Sequence, residues 1–475
     1  MKKNKILLYL MIIVSIILCI PSIMYLVTNK TVDGFNAYYT YTLTRSNDTR
    51  IGTLNGIIVI GALLIFSFIY YLIIKKQKEL FKDKKQIIIF IAIISFIFML
   101  ILPYLSSDIY YYIGDSWLSA KYNENPYYTT VKDLQDKEIN DEILNNTGYW
   151  KHTTSIYGPM WNSIAKLLVG LSFGNVTLAL LIFKVVSLLI HVLNSYLIYK
   201  ITKSKKYMLI YGLNPLVLIE LLSNVHNDIY LILFILLALY FLIRKKNIYF
   251  TIIFMALSIC IKYSTVLMVP FVLIYCFRNN SIPKRILYCL IGGLRIIAIV
   301  VIFYLPYYRD MTIFTNMLVQ DGKYTQSIMA LLMIKLEGNS LFSIINSLKL
   351  PVFAILYIST VIIVLFYKKI TLSFIIKKYN FIMLIFIFIV LTTFQKWYVL
   401  WLLPTIIFVN KNMRNFIIAL TITAIIPSFK YFQTGNDAFM DGIYYSLSIL
   451  IMSVSTIITI YLTNEMKKQI KSKEK

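Results

Sequence analysis

The sequence is 475 residues long and poor in charge, in acid above all, and it holds few histidines or cysteines. Charged residues make up 14% of it, against about a quarter in soluble domains, while 59% are hydrophobic. A fold that covers itself with polar surface in water is thereby excluded. The four cysteines, Cys19, Cys260, Cys276 and Cys289, fall inside or at the edge of apolar runs, so neither a disulfide framework nor a thiolate metal motif is readable. Three histidines, none in a His-Glu-x-x-His or His-x-His arrangement, argue against a histidine-built metal centre. No Gly/Ser-rich or Pro-rich linker divides the chain. With 21 Asp and Glu against 47 Lys and Arg the formal net charge is +26, which in a soluble protein would suggest nucleic acid.

What is present is a succession of apolar runs. The first, about Lys5 to Val27, starts with basic residues like a signal peptide, but its length and the lack of a small-residue cleavage site mark a retained helix. Further runs lie near 53–74, 86–104, 174–199, 207–222, 229–243, 247–261, 263–277, 286–305, 351–367, 379–394, 398–409, 416–428 and 443–463. They predict an all-α polytopic membrane protein with roughly 11–14 transmembrane helices, some of them short or broken. The segments 1–5, 75–85, 200–206, 244–246, 278–285, 368–378, 410–415 and 464–475 hold 30 Lys and Arg against four acids. Under alternation all of them land on one side, which predicts cytoplasmic termini and makes the +26 a topological signal, with no nucleic-acid partner. The wealth of Lys, Ile, Asn and Tyr hints at an AT-rich bacterial genome.

The hydrophilic stretches left for the outer side are about 28–52, 105–173, 306–350 and 429–442, of which 105–173 is the longest. It opens with Ser106-Ser107-Asp108-Ile109-Tyr110-Tyr111-Tyr112-Ile113-Gly114-Asp115-Ser116-Trp117. If helical, this places Asp108, Tyr111, Tyr112 and Asp115 on one face. A partly desolvated carboxylate there suits general-base chemistry on a hydroxyl, and Asp108, nearest the bilayer boundary, is the sharper candidate. The alternative is a solvated interfacial helix whose tyrosines join an aromatic belt. Downstream, Asn125-Pro126-Tyr127-Tyr128 and Tyr157-Gly158-Pro159-Met160-Trp161 combine turns with aromatics that suit sugar faces or lipid headgroups. The charged stretch 132–142 between them reads as a solvated loop or surface helix.

Ser223-Asn224-Val225-His226-Asn227-Asp228 forms a polar corner between two apolar runs, costly near lipid unless hydrogen-bonded, and so is either functional or a capping turn. Glu220, a turn before, could extend it. Lys262 stands alone between short apolar runs and could hold a lipid phosphate, or could be a snorkelling lysine. Gln395-Lys396-Trp397-Tyr398 offers a second cation among aromatics. Lys184 and Arg295 lie within spans and are expected to pair inside the bundle.

In order along about residues 100–405, Ser107-Asp108-Ile109-Tyr110, Asn125-Pro126-Tyr127, Tyr157-Gly158-Pro159, Asn214-Pro215, Asn224-Val225-His226-Asn227-Asp228, Lys262-Tyr263 and Trp397-Tyr398-Val399-Leu400-Trp401-Leu402-Leu403-Pro404 resemble the bacterial polyprenol-phosphate mannosyltransferase group, multi-spanning glycosyltransferases of the GT-C fold. The resemblance implies one glycosyltransferase domain over 1–475, with 105–173 as its extracytoplasmic catalytic loop. It implies transfer of a mannose-like hexose, with inversion, from a polyprenyl-phosphate donor to a glycolipid or envelope-glycan hydroxyl outside the cytoplasm. Asp108 matches the family's general base. Many relatives in the wider fold carry two adjacent acids there, whereas this chain has Ser107-Asp108. No cofactor or metal is expected.

Around Asp108, the expected substrate-binding set is Asp115, Tyr111, Tyr112, Tyr157, Trp161, His226, Asn227, Asp228, Lys262, Lys396 and Trp397. The competing reading is a transporter or flippase of an envelope lipid or polysaccharide precursor, against which the unequal loops stand. An envelope polymerase or ligase would lean on outer arginines, and only Arg45, Arg50 and Arg309 are available.

Overall fold

The computed structural model describes residues 2–28, 49–103, 105–318, 327–425 and 451–459. The expected outer stretch 429–442, most of 28–52, part of 306–350 and the basic segment 464–475 lie outside these residues. Every regular element among the described residues is a helix, which gives the polytopic all-α architecture that the hydropathy pattern predicts. Six helices are long and apolar enough to cross a membrane: Lys5–Met24, Gly56–Leu80, Val176–Thr202, Ile282–Tyr304, Ser340–Phe366 and Leu372–Val390. Their outer faces carry exposed aliphatics, such as Leu294 at 64% and Ile355 at 67%, as a surface solvated by lipid would.

Among the described residues, the short apolar runs at 247–261, 263–277 and 398–409 are short helices, as their lengths predict. Ile248–Ile259, Tyr263–Cys276 and Lys396–Phe408 each stop short of a full crossing. The α-helix Asp228–Tyr240 is prolonged by a π-turn, Phe241–Lys245. The run at 207–222 is two helices, Lys205–Gly212 and Pro215–Ser223, bent by 49°. The cause of the bend is local. Pro215 cannot donate a backbone bond, and the Asn214 side chain accepts from the amides of Leu216 and Val217, starting a new helix. The carbonyls freed at the break are satisfied from neighbouring helices, that of Ile210 by the Tyr70 hydroxyl at 2.8 Å and that of Gly212 by His191 Nε2 at 3.0 Å.

The chain forms two compact units. One comprises Met1–Ser264, Ala298–Val319 and Ser428–Gly435; the other comprises Thr265–Ile297, Gln320–Pro427 and Asn436–Lys475. In the first, Val176–Thr202 is the central helix, packed against Lys84–Leu100, Lys205–Gly212 and Asp228–Tyr240. Lys184 on this helix corrects the expectation of a charge pair. Its ammonium donates to the carbonyls of Ile101, Leu222 and Ser223 at 2.7, 3.3 and 2.9 Å, tying together two helix ends. Arg295, expected inside the bundle, is exposed on the helix Ile282–Tyr304.

Candidate active site

The stretch after Ser107 is a helix, Asp108–Lys121, and it is not solvated: Ile109 to Ser119 are all buried. That rules out the interfacial aromatic-belt alternative. Two features sink the helix into the fold. At Gly114 a β-carbon would stand 2.0 Å from the Thr147 hydroxyl oxygen, so the absent side chain allows close packing. At its far end Asp141 accepts from Trp117 Nε1 at 3.0 and 3.1 Å, from Lys121 Nζ at 2.6 Å and from the Tyr122 hydroxyl at 2.9 Å. It also caps the following turn through the amides of Ile143 and Leu144. Burial alone would raise the Asp141 carboxyl, but the bonds from Lys121 and Trp117 outweigh it and hold the pKa below the usual range. The stretch 132–142, read as merely solvated, therefore contains the anchor of the acid-bearing helix.

Asp108 occupies the first turn, where the helix dipole favours a carboxylate. The face it shares with Tyr111, Tyr112 and Asp115 meets the Pro159–Gly170 helix. Tyr112 lies edge-on to Tyr157 and Trp161, with ring centroids 5.2 and 5.1 Å apart. The Tyr111 hydroxyl donates to the Thr153 carbonyl at 3.4 Å. Asp115 is 3% exposed, and its Oδ1 meets no hydrogen-bond donor among the described residues. Burial pushes its pKa up to about 8, with the Ser155 hydroxyl pulling weakly the other way.

Tyr157-Gly158-Pro159 is a docking point. Pro159 begins its helix where a missing N–H costs nothing. The neighbouring amides of Gly158, Met160 and Trp161 donate to the carbonyls of Ile261 and Cys260 at 3.1, 3.0 and 3.3 Å. A β-carbon on Gly158 would stand 2.2 Å from the Cys260 oxygen. The end of the helix Ile248–Ile259, and with it Lys262, is thus held directly on this turn. The Tyr157 carbonyl in turn accepts from the hydroxyls of Tyr127 at 2.7 Å and Tyr263 at 3.2 Å. The Asn125-Pro126-Tyr127 turn is fastened by Asn125 Nδ2 to the Tyr307 carbonyl at 2.7 Å.

The third part is the corner Ser223 to Asp228, buried throughout. It follows a π-turn, Ile219–Ser223, and passes through Val225 at φ 58°, a conformation that a β-branched residue rarely adopts and that stores strain of order 1–3 kcal/mol. The turn presents three polar side chains together. His226 Nδ1 is 3.6 Å from Asp108 Oδ2 and its Nε2 is 3.2 Å from Glu220 Oε2. Asp228 takes Lys262 Nζ on both oxygens, at 3.1 and 3.0 Å, and that ammonium lies 5.8 Å from the centre of the Tyr157 ring. The Asn227 amide is fully buried, with neither end hydrogen-bonded among the described residues. Asp228 does start a helix, so the capping and functional readings coincide.

Asp108, Tyr111, Tyr112, Tyr157, Trp161, His226, Asn227, Asp228 and Lys262 are therefore linked through this one unit, with Asp115 a turn deeper on the same helix. Asp108 and Lys262 are partly exposed, with side chains 18% and 17% accessible, whereas those of His226 and Asp228 are fully enclosed. Trp161 is corrected in role. At 1% exposure its ring is covered by Tyr112, Phe183 and Tyr230, so it backs the aromatic wall and has no face left for a sugar. Lys396 and Trp397 are buried in the second unit, on the helix Lys396–Phe408. Glu220 was the partner that sequence reasoning left at the margin; an acid inside an apolar run, four residues before Asn224, was the available signal.

An all-helical membrane-type protein with a carboxylate at the mouth of a buried polar corner fits a polytopic glycosyltransferase. The family model of the alpha-(1->6)-mannopyranosyltransferase N-terminal domain matches residues 12–278, more than half of the chain, and the chain belongs to that family. It is therefore a glycosyltransferase. The matched span holds every site residue named above except Lys396 and Trp397. No curated protein and no solved structure matches the chain.

Proposed function

We propose that this protein is a GT-C-type mannosyltransferase of the bacterial cell membrane. It takes its sugar from a polyprenyl-phosphate carrier and passes it, with inversion, to a hydroxyl of a glycolipid or envelope glycan on the extracytoplasmic side. The observation that carries this reading is the pairing of a partly exposed Asp108, at the N-terminus of a buried helix, with a buried histidine and a neighbouring Lys262–Asp228 ion pair. Basic residues concentrated in the short segments of one side support the orientation.

In this reading Asp108 accepts the proton of the acceptor hydroxyl as its oxygen attacks the anomeric carbon. The bond from that carbon to phosphate breaks, and the electron pair leaves with polyprenyl phosphate. Lys262 answers the charge that grows on the phosphate, and Asp228 fixes its ammonium beforehand, so little reorganisation is needed at the transition state. Tyr157, whose ring lies beside the Lys262 ammonium, is the candidate to meet a sugar or acceptor hydroxyl.

The test is purified protein in lipid nanodiscs with labelled polyprenyl-phosphate mannose and candidate lipid acceptors. A new glycosidic bond is expected with the wild type, and none with Asp108→Asn, which should insert and fold normally. Movement of lipid without a new bond, or wild-type turnover by Asp108→Asn, overturns the reading.

A further inference from the structure

The helix Pro159–Gly170 keeps one face in the fold through Trp161, Asn162, Ala165 and Val169, but its far end is not polar, as a helix end facing water would be. Leu167, Leu171 and Phe173 stand out there at 71%, 58% and 88% exposure. Phe173 and Leu167 are the two most exposed large hydrophobic side chains among the described residues. From Pro159 to Val176 the sequence holds no acid and one base, Lys166, which is exposed beside Leu167. Three such side chains on one helix end and its turn are an apolar patch, unlike the single hydrophobes scattered on any surface.

The backbone singles out Phe173. Its φ is 51°, a left-handed conformation that bulky residues avoid and Asn adopts readily, and Gly174 follows at 88°. The turn is fastened on both sides. Buried Ser172 donates to the Val169 carbonyl from its amide at 2.9 Å and its hydroxyl at 2.6 Å, and the Asn175 side chain caps the amide of Leu178 at 2.8 Å. Two contacts tie it to the acid-bearing helix and its anchor. A β-carbon on Gly174 would stand 3.4 Å from the ring of Trp117, the residue that Asp141 holds, and the neighbouring Glu142 accepts from the Val176 amide at 3.1 Å. Val176 begins one of the six spans, three residues after Phe173, so the patch stands where that span leaves the bilayer. The exposed aliphatics of the span, Leu178, Leu181, Val185 and Leu189, begin five residues past it.

Resting on the reading of an extracytoplasmic site with a lipid-phosphate donor, we propose that Leu167, Leu171 and Phe173 are a wedge inserted in the lipid surface of the outer leaflet. Lys166 lies at the level of the headgroup phosphates, and the wedge holds the helix that starts at Asp108 at a fixed depth. A phenylalanine that is strained and bare in water has two costs and no return; in the headgroup–acyl boundary its ring is removed from water. A lysine next to the wedge keeps its stem in the apolar layer and its ammonium among phosphates. The donor phosphate is itself tethered to the leaflet by its polyprenyl chain. Fixing the turn in lipid therefore fixes the height of Asp108 relative to that phosphate, through Trp117 and Glu142.

The experiment places a nitroxide on Phe173→Cys, and separately on Leu171→Cys, in the full-length protein with Cys276→Ala and Cys289→Ala, since the other two native thiols are buried. In nanodiscs of phosphatidylglycerol and phosphatidylethanolamine, depth is read from relaxation by oxygen against a water-soluble nickel chelate. Lys137→Cys, exposed in the same outer stretch, is the aqueous reference. Labels at 173 and 171 are expected about 5–10 Å below the phosphates, and the label at 137 in water. Labels at 173 and 171 as open to nickel as the one at 137 overturn the proposal. So does dipolar broadening that unlabelled protein relieves, which marks a second copy on the patch. The second measurement is Phe173→Asn, whose side chain suits the left-handed φ: its unfolding temperature stays level or rises, while the donor KM rises roughly 3- to 10-fold. A deep label with an unchanged donor KM overturns the anchoring role. No glycosyl transfer by the wild type overturns the donor reading and leaves the depth result standing.

Discussion

Gly158 gives the sharpest test of how the site is assembled. Its φ is −72°, open to any residue, so a defect in Gly158→Ala cannot come from backbone strain. The reason for glycine is space: the added carbon would lie 2.2 Å from the Cys260 oxygen and 2.4 Å from its carbonyl carbon. Those are backbone atoms that cannot rotate away, so the turn and the end of the helix Ile248–Ile259 must part by roughly 1 Å to restore contact distance. Three backbone hydrogen bonds cross that seam. Weakening them at about 1 kcal/mol each, together with the overpacking, puts the cost at about 2–4 kcal/mol.

The functional effect follows from what stands beyond the seam. Lys262 comes immediately after Cys260-Ile261, so it moves with them, and a misplacement of about 1 Å is worth on the order of a hundredfold in rate. The assay is turnover of labelled donor at saturating acceptor, with thermal unfolding in the same nanodiscs. Gly170→Ala is the control, since a β-carbon there meets nothing within 4 Å. If Gly158→Ala keeps both turnover and stability within the range of Gly170→Ala, the seam does not position Lys262.

Lys262→Ala should raise the donor KM, but it also strips the buried Asp228 carboxylate of its ammonium partner, at a cost of about 3–5 kcal/mol. The double variant Lys262→Met with Asp228→Asn should recover the stability and not the donor affinity; recovery of both removes Lys262 from the phosphate site. Asp115 gives a stability test. Its raised pKa means that the folded state holds a proton which the unfolded chain loses, so stability is lost as pH rises from the ordinary carboxylate range, about 4, to about 8. Asp115→Asn should flatten that part of the pH dependence of the unfolding temperature, and an unchanged slope would show that Asp115 ionises in the fold.

Several residues were legible because the bilayer makes them expensive. Asp108, the corner Ser223 to Asp228 and Lys262 interrupt apolar sequence at points where an unsatisfied polar group costs several kcal/mol, so their presence alone marks them. Asp141 was not legible. It lies among other acids and lysines in 132–142, and only the burial of Trp117 beside it separates an anchor from a solvated charge. Trp161 misleads in the opposite way, because an aromatic after a Gly-Pro turn looks the same in sequence whether its face is open or covered by Tyr112, Phe183 and Tyr230. The short helices were legible in their run lengths, whereas the π-turns and the 49° Asn-Pro bend were not, because these change the backbone without changing hydropathy.

By itself, the sequence determined the solvent and the elements. Low charge and long apolar runs leave a chain no stable state but helices in a membrane, and the spacing of Asp108, Tyr111, Tyr112 and Asp115 fixes their common face once that stretch is helical. Tertiary structure decided the pairings: that Asp108 meets His226, that His226 rests on Glu220, and that Lys262 is held by Asp228. Periodicity is a property of one segment. Which nitrogen faces which carboxylate depends on where separate helices stop, and here close packing at Gly114 and Gly158 and a left-handed Val225 set those ends.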